Sequence, residues 1–207
     1  MGAGGGGGEA GAAGGGAVCA PSEGSVSARG SMCGGELSGR LAGVVAHPAS
    51  GLDPEPARFP ERWRGDAARI FDFCAAIVDA THDLVLAFKP QIAHFAAHRA
   101  EEQLERLIAH IHRVAPEVPV ILDAKRGDIG STAEMYAREA FERYRADALT
   151  LSPFMGYDSL EPYLRHKGKG LILLCRTSNA GGSELQAQPL ISEVPGGELL
   201  YERIARL

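Results

Sequence analysis

Residues 118–141 read VPVILDAKRGDIGSTAEMYAREAF, and the change of texture within that stretch decides the fold. Val118 to Leu122 is a continuous, branched apolar run, the pattern of a strand buried on both faces. Beyond Ser131 the spacing changes, because Tyr136, Ala137, Ala140 and Phe141 recur at helical intervals. Ser131 followed by Glu134 fits a capping box and predicts where that helix opens. A buried strand, a short polar turn and an amphipathic helix in that order make one unit of a parallel α/β fold.

The same unit repeats on either side. Leu84-Val85-Leu86-Ala87-Phe88, Ala148-Leu149-Thr150-Leu151 and Leu171-Ile172-Leu173-Leu174-Cys175 are further apolar runs. Phe71, Cys74, Ala75 and Val78 fall at helical spacing, as do Leu104, Leu107, Ile108 and Ile111, so each helix has one face for the sheet. Tyr201 to Leu207 reads as a last helix, and GKG at 168–170 as a turn into the last strand. A weak first strand is expected over Leu41 to Ala46, interrupted by His47-Pro48-Ala49-Ser50. Counting it, the chain holds about five strand-helix units.

Composition bounds the rest. Of the 27 glycines, 14 fall within the first 35 residues, where Glu9, Glu23 and Arg29 are the only charged side chains. Such a segment has too little apolar side chain to offset the entropy of ordering its backbone, so residues 1–35 are expected to be disordered and 36–207 to form one domain. A net charge of −5 argues against a nucleic-acid footprint or a membrane-surface patch. No apolar run approaches the roughly 18 residues of a membrane span, and no secretion signal is recognisable, which reads as a cytoplasmic protein. Cys19, Cys33, Cys74 and Cys175 lack CxxC spacing, so neither a disulfide framework nor a zinc site is expected.

In a parallel α/β fold, ligands gather at the carboxyl ends of the strands. Polar groups stand at five such ends: Asp53, Lys89, Asp123 with Lys125, Ser152, and Arg176-Thr177-Ser178. Residues 123 and 125 are two apart and are expected to project from the same face of a strand. A carboxylate and an ammonium there are costly unless they pair or meet a charged ligand. Gly127 allows a sharp turn, with Asp128 at the mouth of the next helix. Two carboxylates beside a lysine favour its charged form, and a fixed cation can stabilise a developing carbanion and protonate it. Decarboxylation without a cofactor fits that set.

These motifs carry a specific resemblance. Ala87-Phe88-Lys89-Pro90, Ile121 to Thr132 (ILDAKRGDIGST) and Leu173 to Ser178 (LLCRTS) resemble the longer bacterial-type branch of the orotidine 5'-phosphate decarboxylases, from about Gly51 to Leu207. The resemblance implies a (β/α)8 TIM-type barrel, incomplete here, that acts as a homodimer with no cofactor or metal and converts orotidine 5'-phosphate to UMP in pyrimidine biosynthesis. It implies that Lys125 protonates C6 of the pyrimidine, that Asp123 lies against the substrate carboxylate, and that Lys89 bridges Asp123 and the ribose. By the same resemblance Asp53 binds ribose, Ser178 contacts the pyrimidine, and Asp128, Ile129 and Thr132 reach the partner's site.

Ala180 stands where that branch usually has proline, and Ser152 where asparagine is common. Three further strand-helix units and a phosphate-gripping loop of the family have no counterpart before Leu207, which raises a second expectation, a truncated and catalytically incompetent chain. A third is a Mg²⁺-dependent enzyme resembling the 3-keto-L-gulonate 6-phosphate decarboxylases and hexulose-phosphate synthases. Those share DxKxxD but lack the Arg126-Gly127 pair and the Ile129 to Thr132 continuation. His94 and His98 have no third ligand nearby in sequence and read as a solvated face, while Trp63 reads as a loop anchor.

Overall fold

The computed structural model describes residues 18–19, 49–191, 194 and 196–207. In chain order, the strands are β1 Val18–Cys19, β2 Ala49–Leu52, β3 Ala87–Pro90, β4 Ile121–Arg126, β5 Ala148–Leu151, β6 Gly170–Leu173, β7 Pro189–Leu190 and β8 Glu198–Leu199. The helices are α1 Ile70–Thr81, α2 Ile92–Ala96, α3 Glu101–Val114, α4 Gly130–Arg138, α5 Glu161–Leu164, α6 Gly182–Gln186 and α7 Leu200–Ala205. Strands β2 and β3 pair in parallel, as do β4 with β5 and β5 with β6. Parallel bridges Phe88↔Val120 and Gln91↔Asp123 join β3 to β4. The result is five parallel strands in the order β2-β3-β4-β5-β6, each followed by helical structure, as in an incomplete TIM-type barrel.

The helices bury the faces their periodicity specifies. α1 turns Ile70, Cys74, Ala75 and Val78 inward, and α3 turns Leu104, Leu107, Ile108 and Ile111 inward. One side chain ties the two together. Gln103 on α3 accepts the Phe71 N–H at 2.8 Å and donates to the Ala67 carbonyl at 3.0 Å, serving an otherwise open helix N-terminus. Trp63 packs against the core under the Arg62 guanidinium, an anchor for the loop before α1.

Three local expectations need correction. The parallel sheet opens with Ala49–Leu52, which begins within the stretch expected to interrupt the strand and runs two residues past it, while Leu41 to Ala46 lies outside the described residues. Strand β3 starts at Ala87 rather than Leu84, because Leu84 is 71% exposed on the approach to the sheet. Helix α4 is not opened by a Ser131–Glu134 capping box: its N-cap is Ile129, with no side-chain cap, and Glu134 instead pairs with Arg165 at 3.1 Å. Asp128 Oδ1 accepts the Ile129 N–H at 2.8 Å just ahead of that helix.

The expectation of disorder over residues 1–35 falls outside the described residues except at Val18–Cys19, whose backbone lies antiparallel on the outer edge of β6. Strands β7 and β8 form a separate antiparallel pair before α7. Among the described residues no helix is long and apolar enough to cross a membrane.

Candidate active site

Asp123 is the centre of the charged cluster at the carboxyl ends of the strands. It is 5% exposed, yet every polar contact around it is satisfied by a donor. Lys89, from β3, donates to Oδ2 at 2.8 Å, and Lys125, from β4 itself, donates to Oδ1 at 2.6 Å. The Thr150 hydroxyl, from β5, donates to the same Oδ1 at 2.9 Å. Burial by itself would raise the carboxyl of Asp123, but the bonds from Lys125, Lys89 and Thr150 outweigh it and hold the group below the usual carboxylate range. A buried anion is thus matched by two ammonium groups whose side chains are 33% and 46% exposed. The cluster therefore holds an excess of cation at the carboxyl ends of the strands, with ammonium donors beyond the two that Asp123 accepts.

The route by which Lys125 reaches Asp123 differs from simple strand alternation. Leu122 pairs with Leu149 and Arg126 with Leu151, so three residues of β4 stand opposite Thr150 alone. Lys125 sits in the left-handed region at φ 47°, a conformation that a non-glycine residue adopts only when its surroundings hold it there. The N–H groups of Ala124 and Lys125 both donate to Thr150 Oγ1, each at 3.0 Å. The bulge turns Lys125 back over Asp123 and leaves its side chain about half exposed.

Beyond the bulge, the chain is braced from both sides. Arg126 donates to Glu139 at 2.8 Å, and its guanidinium lies 4.3 Å above the Tyr136 ring, which fixes α4 and the wide turn after it to the end of β4. The Arg126 carbonyl accepts the Ser152 N–H at 2.7 Å. At Gly127 an added Cβ would stand 2.9 Å from the Ser152 carbonyl oxygen, so only glycine lets the two strand ends approach this closely.

The remaining candidates are positioned at the same end of the sheet but apart from the triad. Asp53 is exposed just beyond β2, and its charge contributes, after burial, to raising the Cys74 thiol. Asp128 is half-buried ahead of α4, while Ile129 and Thr132 are exposed beside it. Among the described residues no ion pair joins Asp128 to either lysine, so the triad within this chain holds one carboxylate where two were expected beside Lys125. Ser178 is exposed in the turn after β6. That turn is clamped by Gln186, whose amide accepts the Thr177 N–H and donates to Thr177 Oγ1, both at 2.7 Å.

Sequence reasoning passed over Thr150, Arg126 as a brace, and Gln186. Only Thr150 carries a signal in the sequence, being the one polar residue in a run otherwise built for burial. Among the described residues no group of three or more His, Cys, Asp or Glu side chains could hold a metal ion. His94 faces the Pro54 carbonyl at 3.3 Å beside an open hollow that His98 also lines. His110 and His112 reach different partners, Asp79 at 2.6 Å and Asp147 at 3.0 Å.

Comparison with known proteins bears on the whole arrangement. The chain is 76% identical over 157 residues to the orotidine 5'-phosphate decarboxylase of Methylibium petroleiphilum, covering 76% of this chain and 56% of that protein. It is likewise 76% identical over 157 residues to that of Albidiferax ferrireducens, covering 54% of the relative. The solved structure of Leishmania donovani OMP decarboxylase superimposes with a TM-score of 0.64 at 37% identity, covering 75% of this chain and 56% of that one. The chain therefore spans about half the length of the curated relatives it matches. The profile of the Orotidine 5'-phosphate decarboxylase / HUMPS family matches residues 51–195, a span that contains the Lys89–Asp123–Lys125 triad, strands β3 to β6 and the second half of β2. With that triad at its strand ends, the chain belongs to the Orotidine 5'-phosphate decarboxylase / HUMPS family.

Proposed function

We propose that residues 36–207 carry the reacting half of a decarboxylase that converts orotidine 5'-phosphate to UMP. The observation that carries this reading is the buried Asp123 carboxylate held between the Lys89 and Lys125 ammonium groups at the open ends of adjacent strands. In the reaction the bond from C6 of the pyrimidine to its carboxylate breaks and carbon dioxide leaves. The electron pair left on C6 takes a proton from Lys125 Nζ, which water then restores. Asp123 lies against the departing carboxylate, and Lys89 links Asp123 to the ribose hydroxyls. A fixed cation beside the developing carbanion, oriented before substrate arrives, supplies the stabilisation. No metal or organic cofactor enters the scheme.

Asp53 and Ser178 bind the ribose and the pyrimidine in this reading. Asp128, Ile129 and Thr132, exposed or half-exposed around the start of α4, complete the site of a second copy in a cytoplasmic homodimer. Sequence similarity to named decarboxylases at 76% identity supports the substrate, and the position of the triad supports the chemistry.

Release of labelled carbon dioxide from carboxyl-labelled orotidine 5'-phosphate tests the proposal on the 207-residue chain. Slow turnover is expected, slower than that of the longer relatives, abolished by Lys125→Ala and unchanged by EDTA. Release that Lys125→Ala leaves intact removes Lys125 from the reaction. Loss of activity with EDTA favours the magnesium-dependent reading, and no release at all favours an incompetent chain. Mixing Lys125→Ala with Asp128→Ala restores turnover that neither has alone if the site is shared between copies.

A further inference from the structure

We infer that Thr150 is a positioning residue, whose hydroxyl holds the β4 bulge in the conformation that presents Lys125 to Asp123 and orients Asp123 for both lysines. The inference builds on the decarboxylase reading for its consequence, though its observations are independent of it. A hydroxyl offers one donor and two acceptor positions. At Thr150 all three are used: Ala124 and Lys125 N–H groups donate to Oγ1 at 3.0 Å each, and Oγ1 donates to Asp123 Oδ1 at 2.9 Å.

The register explains why a side chain must do this. Between Leu122↔Leu149 and Arg126↔Leu151, Asp123, Ala124 and Lys125 have only Thr150 opposite them, so the β5 backbone lacks the carbonyls to serve every N–H. Successive N–H groups of a regular strand point to opposite sides. In the bulge the two consecutive N–H groups of Ala124 and Lys125 converge instead, and Oγ1 receives both. Valine has the shape and strand preference of threonine, so nothing in packing or propensity demands the hydroxyl at this buried site. Its three bonds reach the backbone N–H groups of Ala124 and Lys125 and the carboxylate of Asp123.

Thr150→Val and Thr150→Ser separate the hydroxyl from the rest of the side chain, and neither readout needs turnover. In Thr150→Val, folded by circular dichroism, hydrogen exchange at the Ala124 and Lys125 amides is expected to accelerate about tenfold, as their shared acceptor is lost. Competitive acetylation of Lys125, measured against Lys167 in the same sample, is expected to rise about fivefold as its ion pair loosens. Thr150→Ser is expected to keep both within about twofold of the unaltered chain, since it retains a hydroxyl. Unchanged exchange and acetylation in the valine variant would overturn the inference, as would a serine variant that behaves like valine. Where the valine variant does not fold, the unaltered chain decides: Ala124 and Lys125 amides protected as well as that of Leu151 support the role, and amides exchanging as fast as that of exposed Gly181 reject it. Failure of the decarboxylase reading leaves these outcomes unaffected.

Discussion

Removal of the Asp147 carboxylate should cost the fold about 3 kcal/mol, and the reason lies at the end of the sheet opposite the triad. Asp147 precedes β5 and fastens three strands at their amino ends. Its N–H donates to the Val120 carbonyl at 2.9 Å, its carbonyl accepts the Gly170 N–H at 2.8 Å, and its Oδ2 accepts the Val120 N–H at 2.9 Å. His112 Nε2 lies 3.0 Å from Oδ2, and Lys169 stands 3.7 Å from Oδ1. Asp147→Ala deletes the side-chain bonds, strands the Val120 donor and leaves His112 without its partner. An unsatisfied buried N–H costs roughly 1–3 kcal/mol and a bond to a charged group roughly 1.5–3, less the relief of no longer burying a carboxylate. For a domain of this size the loss lowers the melting temperature by about 6–12 °C. Burial would raise the Asp147 carboxyl, but the bonds from His112 and Val120, with the charges of His112 and Lys169, pull it below its ordinary 3.8. A depressed carboxyl stabilises the fold fully above 3.8 and loses that contribution as pH falls through the folded value. Urea unfolding followed by circular dichroism should therefore show a gap between the variant and the unaltered chain that is present at pH 7 and at pH 5 and narrows in stronger acid. A gap under about 1 kcal/mol at pH 7, or one as wide at pH 3 as at pH 7, would refute the reasoning.

Two further outcomes follow from the same geometry. Gly127→Ala places a methyl 2.9 Å from the Ser152 carbonyl and should cost about 2 kcal/mol in urea unfolding, because a strand end must shift; an unchanged midpoint would contradict it. Burial, with the charge of Asp53 second, pushes the Cys74 thiol up to about 12, so iodoacetamide at pH 8 should leave Cys74 unmodified until urea is added, and rapid native labelling found by peptide mass spectrometry would count against that burial.

Much of this was legible in the sequence, for reasons that particular residues make plain. Runs such as Ala148 to Leu151 announce strands because both faces of a parallel sheet are buried, and the helices of α1 and α3 announce themselves by one apolar stripe each. Strand β2 did not, since Ala-Ser-Gly-Leu holds one large apolar side chain and owes its pairing to β3 beside it. Asp123, Lys125 and Lys89 stood out because charge at the end of a buried run needs a partner. Their geometry was hidden, because a left-handed lysine and a register shift are properties of the backbone that alternation does not encode. The Asp147 network was invisible for a related reason: its partners come from residues 112, 120 and 169, which only the folded sheet brings together.

The two carboxylate networks, one buried and one half-buried, show what separates an ion cluster that holds strands together from one suited to chemistry. Both Asp123 and Asp147 are held below the ordinary carboxyl range, so a perturbed titration alone does not tell them apart. Their surroundings do. Asp147 is served by a backbone N–H, an imidazole and one distant ammonium, partners that fix strands at the face of such a sheet where stability is built. Asp123 is served by two ammonium groups, each with three donors, of which the fold uses one apiece on this carboxylate. The cluster therefore carries more positive charge than the fold consumes, and it carries it at the strand ends where substrates bind. A network built only to hold the sheet together would have no use for the second lysine, nor for a bulge that keeps Lys125 in a disfavoured backbone conformation to reach it. Surplus donors held in place by a strained backbone are what charge developing on a bound anion requires, and that asymmetry is the physical ground for proposing the chemistry at the Asp123 end of the sheet.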